Sequence, residues 1–454
     1  MSTEGLQAGI EKMRLQGVPD AAIASFRHYY EQLDSGVSGM VPEDSIEPAQ
    51  EVADLDELPA ADAPLDQAVV IKLNGGLGTS MGMSQAKSLL EVKDGMAFLD
   101  VIARQVLALR ESSGARLPLV LMNSFHTRED SLALLERYDG LGSDVPFDFV
   151  QHKEPKLLVD GLEPADWPAD RSLEWCPPGH GDIYPALLTS GMLAALLEHG
   201  YRYAFVSNSD NLGATLDPRI LAWFAGAGLP YAAEVTDRTP ADKKGGHIAT
   251  LKETGGLILR ETAQTPAEDM DAFTDVDRHP FFHVNNLWID LRVLDALLRE
   301  REGVLGLPMI VNEKTVDPAD SASPAVYQLE TAMGAAIGVF EGARAIRVPR
   351  SRFVPVKKTS DLLVLRSDAY TLGDGARIHL AADRSAAPLV ELDDEHFKLL
   401  GDFDAHFPEG APSLVRADRL EVAGDVTFGR DVAVRGNVSV EGPRRVEDGA
   451  ELAG

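Results

Sequence analysis

A glycine-rich stretch near the start of the chain has the residue types and spacing of an anion-binding loop. It reads Lys-Leu-Asn-Gly-Gly-Leu-Gly-Thr-Ser-Met-Gly over residues 72–82 and directly follows an apolar run at residues 68–71. Glycines let a backbone approach a ligand closely and present its amide N–H groups to an anion, and Lys87 would add a full positive charge. The stretch matches neither the Walker pattern nor the dinucleotide fingerprint. The spacing therefore leaves two interpretations open, an anion cradle and a tight turn between a strand and a helix.

Alternating segments predict the scaffold that would position this loop. Short apolar runs predict strands at residues 68–71, 117–122, 147–151, 203–207 and 231–235. Helical spacing predicts helices at residues 97–110, 127–138, 192–197 and 220–224. This alternation predicts an α/β protein with a mixed, mainly parallel sheet and helices on both faces. Such folds bind ligands at the carboxyl ends of the strands, where the glycine-rich loop, Gln151 and Asp210 would lie.

The two ends of the chain depart from this alternation. Residues 1–38 have helical spacing, whereas residues 42–66 are acidic, contain four prolines and predict a solvated connector on the surface. Near the other end, two rows of apolar residues recur every six positions. The rows are Val422, Phe428, Val434, Val440, Val446 and Leu452, and Val426, Val432 and Val438. Two rows in phase favour a parallel β-helix over antiparallel hairpins, with an open end that suits self-association.

The sequence thus predicts three domains. They are N-terminal helices with an acidic linker at residues 1–66, a catalytic domain at residues 67–370 and a small C-terminal β-helix domain at residues 371–454.

The composition excludes several classes of partner. The 454 residues carry a formal net charge of −30, which repels DNA, RNA and anionic membranes. We see neither an apolar stretch of membrane-spanning length nor a secretory signal, and the single Cys176 excludes an intramolecular disulfide, so we expect a cytoplasmic protein. If the substrates are polyphosphates, basic residues must gather locally, and Lys72 with Lys87 and residues 344–358 are the candidates.

Six motifs resemble those of the eukaryotic-type UDP-glucose pyrophosphorylases (UTP-glucose-1-phosphate uridylyltransferases), in the same order. They are the loop at residues 72–82 with Lys-Ser-Leu at 87–89, and the segments at 175–184, 207–215, 285–288, 328–332 and 349–357. The second contains Pro-Pro-Gly-His-Gly-Asp, and the last reads Pro-Arg-Ser-Arg-Phe-Val-Pro-Val-Lys. The resemblance covers about residues 68–370. It implies a Rossmann-like, GT-A-like nucleotidyltransferase fold, and the C-terminal repeat is consistent with the β-helix domain of that family.

The resemblance implies uridylyl transfer, in which a phosphate oxygen of glucose 1-phosphate attacks the α-phosphorus of UTP in line. UDP-glucose forms and pyrophosphate leaves. The nucleophile is already anionic, so catalysis rests on positioning and charge neutralisation rather than on a general base. Lys87 and Lys357 would be the catalytic cations and Asp210 the ligand of Mg²⁺, and all three would contact the nucleotide.

The resemblance also assigns the surroundings of these three residues. The other nucleotide-binding residues would be Leu73, Asn74, Gly75, Gly76, Gln151 and Gly179, with Gln151 reading the uracil ring. The sugar-phosphate-binding residues would be His180, Asn208, Asn285 and Glu330.

The assigned residues also have ordinary structural explanations. Asp210 could be a turn-forming aspartate, and any single lysine is usually a solvated surface charge. Gln151 could be a polar residue at a strand end, His180 could hold its loop in place, and Glu330 could be a charge at a helix N-terminus.

The chain departs from the family pattern at several positions. Residues 83–86 read Met-Ser-Gln-Ala where many relatives have Cys-Lys-Gly-Pro, and the loss of a lysine and a proline would lower phosphate affinity or change loop mobility. His283 stands where relatives tend to have asparagine, and Cys176 stands where they often have an aromatic residue. We expect Cys176 to be structural. Lys357 follows an apolar, strand-like run, so the adjacent Lys358 should point to the other face as a surface charge.

Two other functions compete with this interpretation. One is a uridylyltransferase for another sugar 1-phosphate, such as N-acetylglucosamine 1-phosphate, or for a broad range of them. Those relatives usually have a Gln-Gly-Thr-Arg loop, whereas residues 77–80 here read Leu-Gly-Thr-Ser. The other is a non-catalytic nucleotide-sugar sensor, which the retention of Lys87, Asp210 and Lys357 opposes.

Overall fold

The apolar run at residues 68–71 lies inside a fully buried strand in the computed structural model of the protein. The structure describes residues 3–37, 39–50, 52–239 and 242–454. Val70 packs into one hydrophobic core, and Val69 and Ile71 pack into another, because successive side chains of a strand point to opposite faces. Within the described ranges, no helix is both long and apolar enough to cross a bilayer.

The described residues form twelve α-helices. They are α1 (Thr3–Leu15), α2 (Asp20–Asp34), α3 (Phe98–Ser113), α4 (Arg128–Leu135), α5 (Ile183–Thr189), α6 (Met192–Glu198), α7 (Pro218–Gly226), α8 (Met270–Thr274), α9 (Leu291–Glu300), α10 (Thr359–Arg366), α11 (Asp394–Phe397) and α12 (Leu400–His406).

The same residues form twenty-six strands. They are β1 (Ile46–Pro48), β2 (Ala53–Asp54), β3 (Ala68–Asn74), β4 (Glu91–Lys93), β5 (Met96–Ala97), β6 (Leu119–Asn123), β7 (Asp148–Val150), β8 (Glu154–Pro155), β9 (Leu157–Leu158), β10 (Trp175–Cys176), β11 (Tyr203–Asn208), β12 (Tyr231–Asp237), β13 (His247–Leu251), β14 (Leu257–Arg260), β15 (Phe281–Asp290), β16 (Met309–Thr315), β17 (Ala325–Thr331), β18 (Arg344–Arg347), β19 (Tyr370–Leu372), β20 (Ile378–Leu380), β21 (Leu389–Leu392), β22 (Ser413–Ala423), β23 (Val426–Phe428), β24 (Ala433–Glu441), β25 (Arg444–Val446) and β26 (Glu451–Ala453).

One large mixed sheet forms the centre of the fold. Its main path runs β2-β18-β12-β15-β11-β3-β6-β7, and β1, β13 and β14 attach beside β15. The strands β11, β3, β6 and β7 form one group of parallel strands, and β12, β18 and β2 form another. Strand β15 runs antiparallel between β11 and β12 and joins the two parallel groups. The predicted mixed, mainly parallel sheet is therefore confirmed.

Helices cover both faces of this sheet, as predicted. Helices α3, α7 and α10 contribute to the core on one face, and α5, α6 and α9 contribute to the core on the other. Because both faces are covered, the loops at the strand ends are the parts of the sheet that a ligand can reach.

The N-terminal helices pack on a separate small sheet. Apolar residues of α1 and α2 form one cluster with Leu157, Met309 and Leu329, which lie in the three-stranded sheet β16-β17-β9. The helical prediction for residues 1–38 is thus confirmed for the described part of that range.

The prediction of a solvated connector at residues 42–66 is wrong in part. This segment contributes β1 and β2 to the central sheet, and Ile46 and Leu55 are each only 1% exposed. Glu43 accepts hydrogen bonds from Arg260 and His279, whose side chains are fully buried. The acidic composition of this segment therefore has a partly structural role, because a buried guanidinium needs a carboxylate partner.

The C-terminal strands pair in parallel. The four-stranded sheet β21-β22-β24-β26 and the pair β23-β25 contain only parallel neighbours. Val422 lies opposite Val440, and Phe428 lies opposite Val446. Each partner is thus three six-residue repeats further along the chain, and antiparallel hairpins are excluded for these strands.

The Glu43 contact gives a test of the connector. We expect Glu43→Ala to lower the free energy of unfolding by about 3 kcal/mol, because it leaves the buried Arg260 without its closest carboxylate. Urea denaturation of the variant and of the unchanged protein measures this difference. Glu47→Ala, at an exposed position of the same connector, should change stability by less than about 0.5 kcal/mol. Equal effects of the two substitutions would show that Glu43 does not fasten the connector.

Candidate active site

The carboxyl ends of β3, β6, β7 and β11 meet at one edge of the central sheet. The register places Asn74 beside Asn123 and Leu73 beside Asn208. The glycine-rich loop after β3, the residue after β7 and the turn after β11 therefore begin side by side. This edge brings together three of the segments that the sequence singled out.

Gly75 and Gln151 are in contact at this edge. A Cβ added at Gly75 would lie 2.9 Å from Gln151 Oε1, so the side-chain amide of Gln151 rests directly on the loop at this glycine. The backbone of Gln151 is held by an N–H bond to the carbonyl of Asn123 at 2.8 Å. At Gly76 an added Cβ would meet nothing within 4 Å, so the backbone there is open to a ligand. An amide group thus lies beside an accessible stretch of glycine backbone.

The side chain of Asn74 points into the protein. Its Nδ2 donates to Asn123 Oδ1 at 2.7 Å and to Ser131 Oγ at 2.8 Å, and the residue is 2% exposed. Its side chain is therefore committed to fastening β3 to its neighbours. Only the backbone of Asn74 remains for a ligand.

The glycine-rich loop folds back on itself. Gly78 and Gly82 adopt left-handed conformations, with φ of +68° and +73°, which favour glycine. The backbone N–H of Lys87 donates to the carbonyl of Gly76 at 3.0 Å, which returns the lysine to the start of the loop. Residues 84–85, where the chain departs from the family pattern, are exposed. The missing lysine thus concerns the outer part of the loop.

Lys87 and Asp210 form an ion pair. Lys87 Nζ lies 2.6 Å from Asp210 Oδ2 and also donates to the carbonyl of Val356. The side chains are 16% and 24% exposed, so both remain accessible from the edge of the sheet. A metal ion on Asp210 and the ammonium of Lys87 would compete for one carboxylate.

Lys357 follows Val356 directly and is exposed. Its backbone N–H donates to Asp361 Oδ2 at 2.7 Å, which joins it to the first turn of α10. The preceding residues 353–356 form no strand, only one isolated bridge, so the strand-like interpretation of this run is wrong. Lys358 Nζ lies 3.6 Å from Asp394, and its side chain is 67% exposed, as expected of a surface charge.

Lys72 does not face a ligand. It is 2% exposed, and its Nζ donates to Ser207 Oγ and to the carbonyl of Ala214, each at 2.7 Å. Burial lowers the pKa of Lys72 to about 7, since desolvation disfavours the charged form. Lys72 thus fastens both ends of the turn that carries Asp210.

The basic stretch at residues 344–358 is also largely engaged with acids. The ion pairs are Arg347 with Asp54 and Asp237, Arg350 with Asp242, and Arg352 with Glu234. The expectation that this whole stretch supplies positive charge to polyphosphates is therefore wrong. Of the cations of the two basic regions, Lys87 contacts Asp210 at this edge, and Lys357 directly follows Val356, whose backbone contacts both Lys87 and Asp210.

A second group of predicted residues surrounds Gly179 and His180. Gly179 has φ +77°, and a Cβ there would lie 2.6 Å from the carbonyl of Thr331, so only glycine fits. His180 Nδ1 accepts the backbone N–H of Met333 at 2.9 Å, which leaves the Nε2–H of the neutral ring free to donate. Desolvation by the surrounding protein atoms lowers the pKa of His180, an effect that its exposed position moderates. His180 therefore both holds its loop and offers a donor.

Glu330 lies beside this loop on β17. A Cβ at Gly179 would lie 3.0 Å from Glu330 Cβ, which places the two residues in contact. Its position in a strand rules out a charge at a helix N-terminus. Burial raises the pKa of Glu330, and this effect is opposed by a hydrogen bond with Asn312 and by the charge of Lys314.

Asn285 occupies an irregularity within β15. The pairing of β12 with β15 shifts register between Ala233 and Val235, and Asn285 there adopts a left-handed φ of +57°. Its N–H donates to His283 Nδ1 at 3.4 Å. His283 is 4% exposed beneath Gly334, and burial lowers its pKa to about 3. His283 thus supports the backbone of Asn285 as a neutral, buried side chain.

Cys176 is buried in β10. Its thiol donates a weak hydrogen bond to the carbonyl of Glu154 at 3.8 Å, and burial raises its pKa well above the usual range. Because the thiolate is the reactive form, this environment disfavours redox chemistry.

A buried network around Glu234 could not be predicted from the sequence. Glu234 accepts hydrogen bonds from Asn286, Trp288 and Arg352, and its side chain is fully buried. The available signal was a carboxylate inside the apolar run of β12, because a buried charge requires partners. The sequence does not reveal which residues those partners are.

Asp210 is an accessible carboxylate at this edge, and its fit to a metal ion can be examined from the side chains around it. The described residues contain no cluster of three or more histidine, cysteine, aspartate or glutamate side chains that could hold an ion. A single carboxylate fits Mg²⁺, which favours one or two carboxylates together with substrate phosphates and water. It does not fit a metal that needs a complete protein cage.

Comparison with known proteins identifies the family. The family model described as UTP--glucose-1-phosphate uridylyltransferase matches residues 23–435. The UTP--glucose-1-phosphate uridylyltransferase of Hordeum vulgare is 42% identical over 419 residues, which cover 91% of this chain and 85% of the relative. The protein of the same name from Saccharomyces cerevisiae is 42% identical over 378 residues, covering 83% and 74%.

Solved structures agree over the whole fold. The UDP-glucose pyrophosphorylase of Leishmania major, known in open and closed structures, aligns with a TM-score of 0.93 at 45% identity and covers 99% of this chain and 98% of its own. The UDP-glucose phosphorylase of Trypanosoma brucei aligns with a TM-score of 0.92 at 43% identity, with the same coverage. The resemblance of the six motifs is therefore confirmed, and the chain belongs to the UTP--glucose-1-phosphate uridylyltransferase family.

Proposed function

We propose that this protein transfers the uridylyl group of UTP to glucose 1-phosphate, giving UDP-glucose and pyrophosphate reversibly. The observation that carries the proposal is the contact of Lys87 with Asp210 beside the backbone of Val356. It gathers a cation, a metal-binding carboxylate and the segment that bears Lys357 at one edge of the sheet. Relatives named for this reaction match the chain over most of its length.

The reaction requires two highly anionic reactants to meet. A phosphate oxygen of the sugar attacks the α-phosphorus of UTP, and the bond from that phosphorus to the pyrophosphate oxygen breaks. Lys87 would bind the phosphates of UTP, and Lys357 would bridge the α-phosphate and the sugar phosphate. Positioned cations act most strongly where charge develops in the transition state. The site needs no general base, because the attacking phosphate oxygen is already anionic.

We assign Asp210 as the protein ligand of Mg²⁺. When bound, the ion would neutralise phosphate charge together with the lysines. Because Lys87 contacts the same carboxylate, the lysine would leave Asp210 for the phosphates as the substrates enter. Asp210 thus serves two cations in turn.

The nucleotide would lie along the glycine-rich loop. The backbone of Leu73, Asn74, Gly75 and Gly76 would line it, because the Asn74 side chain is engaged elsewhere. Gln151 would read the uracil ring, since its amide both donates and accepts. A backbone contact from Gly179 completes this group of nucleotide-binding residues.

The sugar phosphate would lie on the other side of the site. The free Nε2–H of His180 would donate to the phosphate, since Nδ1 is occupied by Met333. Asn208, Asn285 and Glu330 would bind the sugar hydroxyl groups. The left-handed backbone of Asn285 supports this role, because such strain is found at functional sites.

Pyrophosphate release with UTP, Mg²⁺ and a panel of sugar 1-phosphates tests the proposal. We expect glucose 1-phosphate to be the preferred substrate. Preference for another sugar would overturn the assigned specificity. No release above background with any sugar would favour a nucleotide-sugar sensor.

We expect Asp210→Asn to lower turnover by at least about 10³-fold, because it removes the carboxylate while keeping the side-chain shape. Binding of Mn²⁺ in the presence of UTP, followed by electron paramagnetic resonance, should weaken in parallel. Asp139→Asn, at an exposed position, serves as the control and should match the unchanged protein. Tight Mn²⁺ binding by the Asp210 variant would contradict the metal role.

Lys357 and Lys358 form a matched pair for a second test. We expect Lys357→Ala to lower kcat by about 10²–10³-fold, because it removes a charge from the transition state. Lys358→Ala should have no more than a twofold effect, because that side chain is exposed and close to Asp394. Steady-state kinetics with both substrates measure these changes. Equal rates for the two variants would mean that Lys357 is only a surface charge.

We further propose a cytoplasmic protein in which residues 67–370 form the catalytic domain and residues 371–454 a small β-helix domain. The parallel register of β22 with β24, at an interval of 18 residues, supports the β-helix. Its last strand, β26, pairs along one side only and leaves an open end. This end is the surface that we propose for self-association.

Light scattering tests this assembly. We expect a particle larger than the 49.0 kDa chain at micromolar concentration. Removal of residues 443–454, which include β25 and β26, should change its size. A 49.0 kDa particle at every concentration would contradict self-association.

A further inference from the structure

The turn that carries Asp210 is joined to the segment that carries Lys357. The backbone N–H of Val356 donates to the carbonyl of Asp210 at 3.2 Å. Gly213 packs so closely on the carbonyl of Ser351 that a Cβ there would clash. The assigned metal ligand and the assigned lysine therefore lie on two pieces of backbone that are in direct contact.

The side chain of Asn211 lies at the centre of this contact between the Asp210 turn and residues 351–356, which we call the joint. Its Nδ2 donates to the carbonyl of Arg352 at 3.2 Å, and its Oδ1 accepts the N–H of Val354 at 2.9 Å. Residues 353–356 lie outside the strands, so Asn211 supplies hydrogen bonds that a neighbouring strand would otherwise supply. The residue is 2% exposed, which protects both bonds from water.

The segment is anchored at its other end by a buried ion pair. Arg352 makes two hydrogen bonds to Glu234, at 2.6 and 2.8 Å, and a third to the carbonyl of Thr215. Glu234 in turn accepts from Asn286 and Trp288 on β15. Arg352 is thus fixed to the central sheet, and Asn211 fixes the chain between it and Lys357.

Lys357 needs this support because its own side chain is exposed. Its long, flexible stem can deliver the ammonium to one point only if the backbone below it is held in place. A displacement of about 1 Å at a reacting centre can reduce a rate by about 10²-fold.

We propose that Asn211 is a positioning residue for uridylyl transfer, setting the place of Lys357 relative to Asp210. This inference rests on the proposed function of Lys357. Asn211 touches neither the substrates nor the reacting atoms in this scheme. It acts through the backbone of residues 352–354, and its Nδ2 also donates to Asn286 Oδ1 at 3.4 Å in the buried network.

A double-mutant cycle tests the inference. We expect Asn211→Ala to lower kcat by about 10²-fold while the dissociation constant for UTP changes by less than about twofold. In the Lys357→Ala background the same substitution should lower kcat no further, because the lysine that it positions is already absent. Asn211→Ser, which keeps one polar group and leaves a smaller cavity, should lie between the unchanged protein and Asn211→Ala.

Ser367→Ala is the control for the loss of a buried polar side chain. Ser367 is 2% exposed and makes hydrogen bonds with the backbone of Val364 and Ala369, beyond the joint. It should lower the thermal midpoint as Asn211→Ala does but keep kcat within about twofold.

The possible failures are distinguishable. Equal losses of kcat from Asn211→Ala with and without Lys357 would overturn the positioning role, as would unchanged kcat in both Asn211 variants. A parallel loss of UTP binding and of the folded state would reduce Asn211 to a structural residue. If the protein without any substitution forms no UDP-glucose, the proposed function is refuted, and this inference is refuted with it.

Discussion

The contact between Lys87 and Asp210 joins three parts of the chain that are far apart in sequence. Lys87 ends the loop after β3, Asp210 lies in the turn after β11, and both reach the backbone of Val356. In a chain with a net charge of −30, the arginines at positions 347, 350 and 352 are already paired with acids. The cations that remain available to a ligand must therefore be fixed in position, and buried polar networks in the surrounding structure fix them.

Much of the fold could be predicted because strands and helices alternate so regularly. Five strands of the central sheet were located from short apolar runs, and the six-residue repeat indicated parallel pairing at the C-terminus. The connector at residues 42–66 was misjudged because acidity and proline content describe only exposure to solvent. Pairing of Ile46 with β13 and of Glu43 with Arg260 depends on partners some two hundred residues away, which composition does not encode.

The meeting of the candidate residues at one edge of the sheet could be predicted from their positions after strands, whereas contacts that depend on burial could not. Gly75 and Asp210 follow the ends of β3 and β11, and Lys87 lies later in the loop after β3, so their common edge followed from the parallel order. Lys72 looked like a charge for polyphosphates, but the structure uses it to fasten the Asp210 turn. The left-handed backbone of Asn285 lies at a register shift between β12 and β15, and the spacing of residue types does not predict such a shift.

A crystal structure of the protein with UDP-glucose and Mg²⁺ would show, through the distance from Lys87 Nζ to Asp210 Oδ2, whether Lys87 leaves Asp210 for the phosphates. We predict that this distance increases well beyond its 2.6 Å. Lys87 should then contact a phosphate oxygen, Asp210 should bind the ion, and Gln151 should contact the uracil ring. A nucleotide bound elsewhere, or one bound with the ion pair intact, would contradict this prediction.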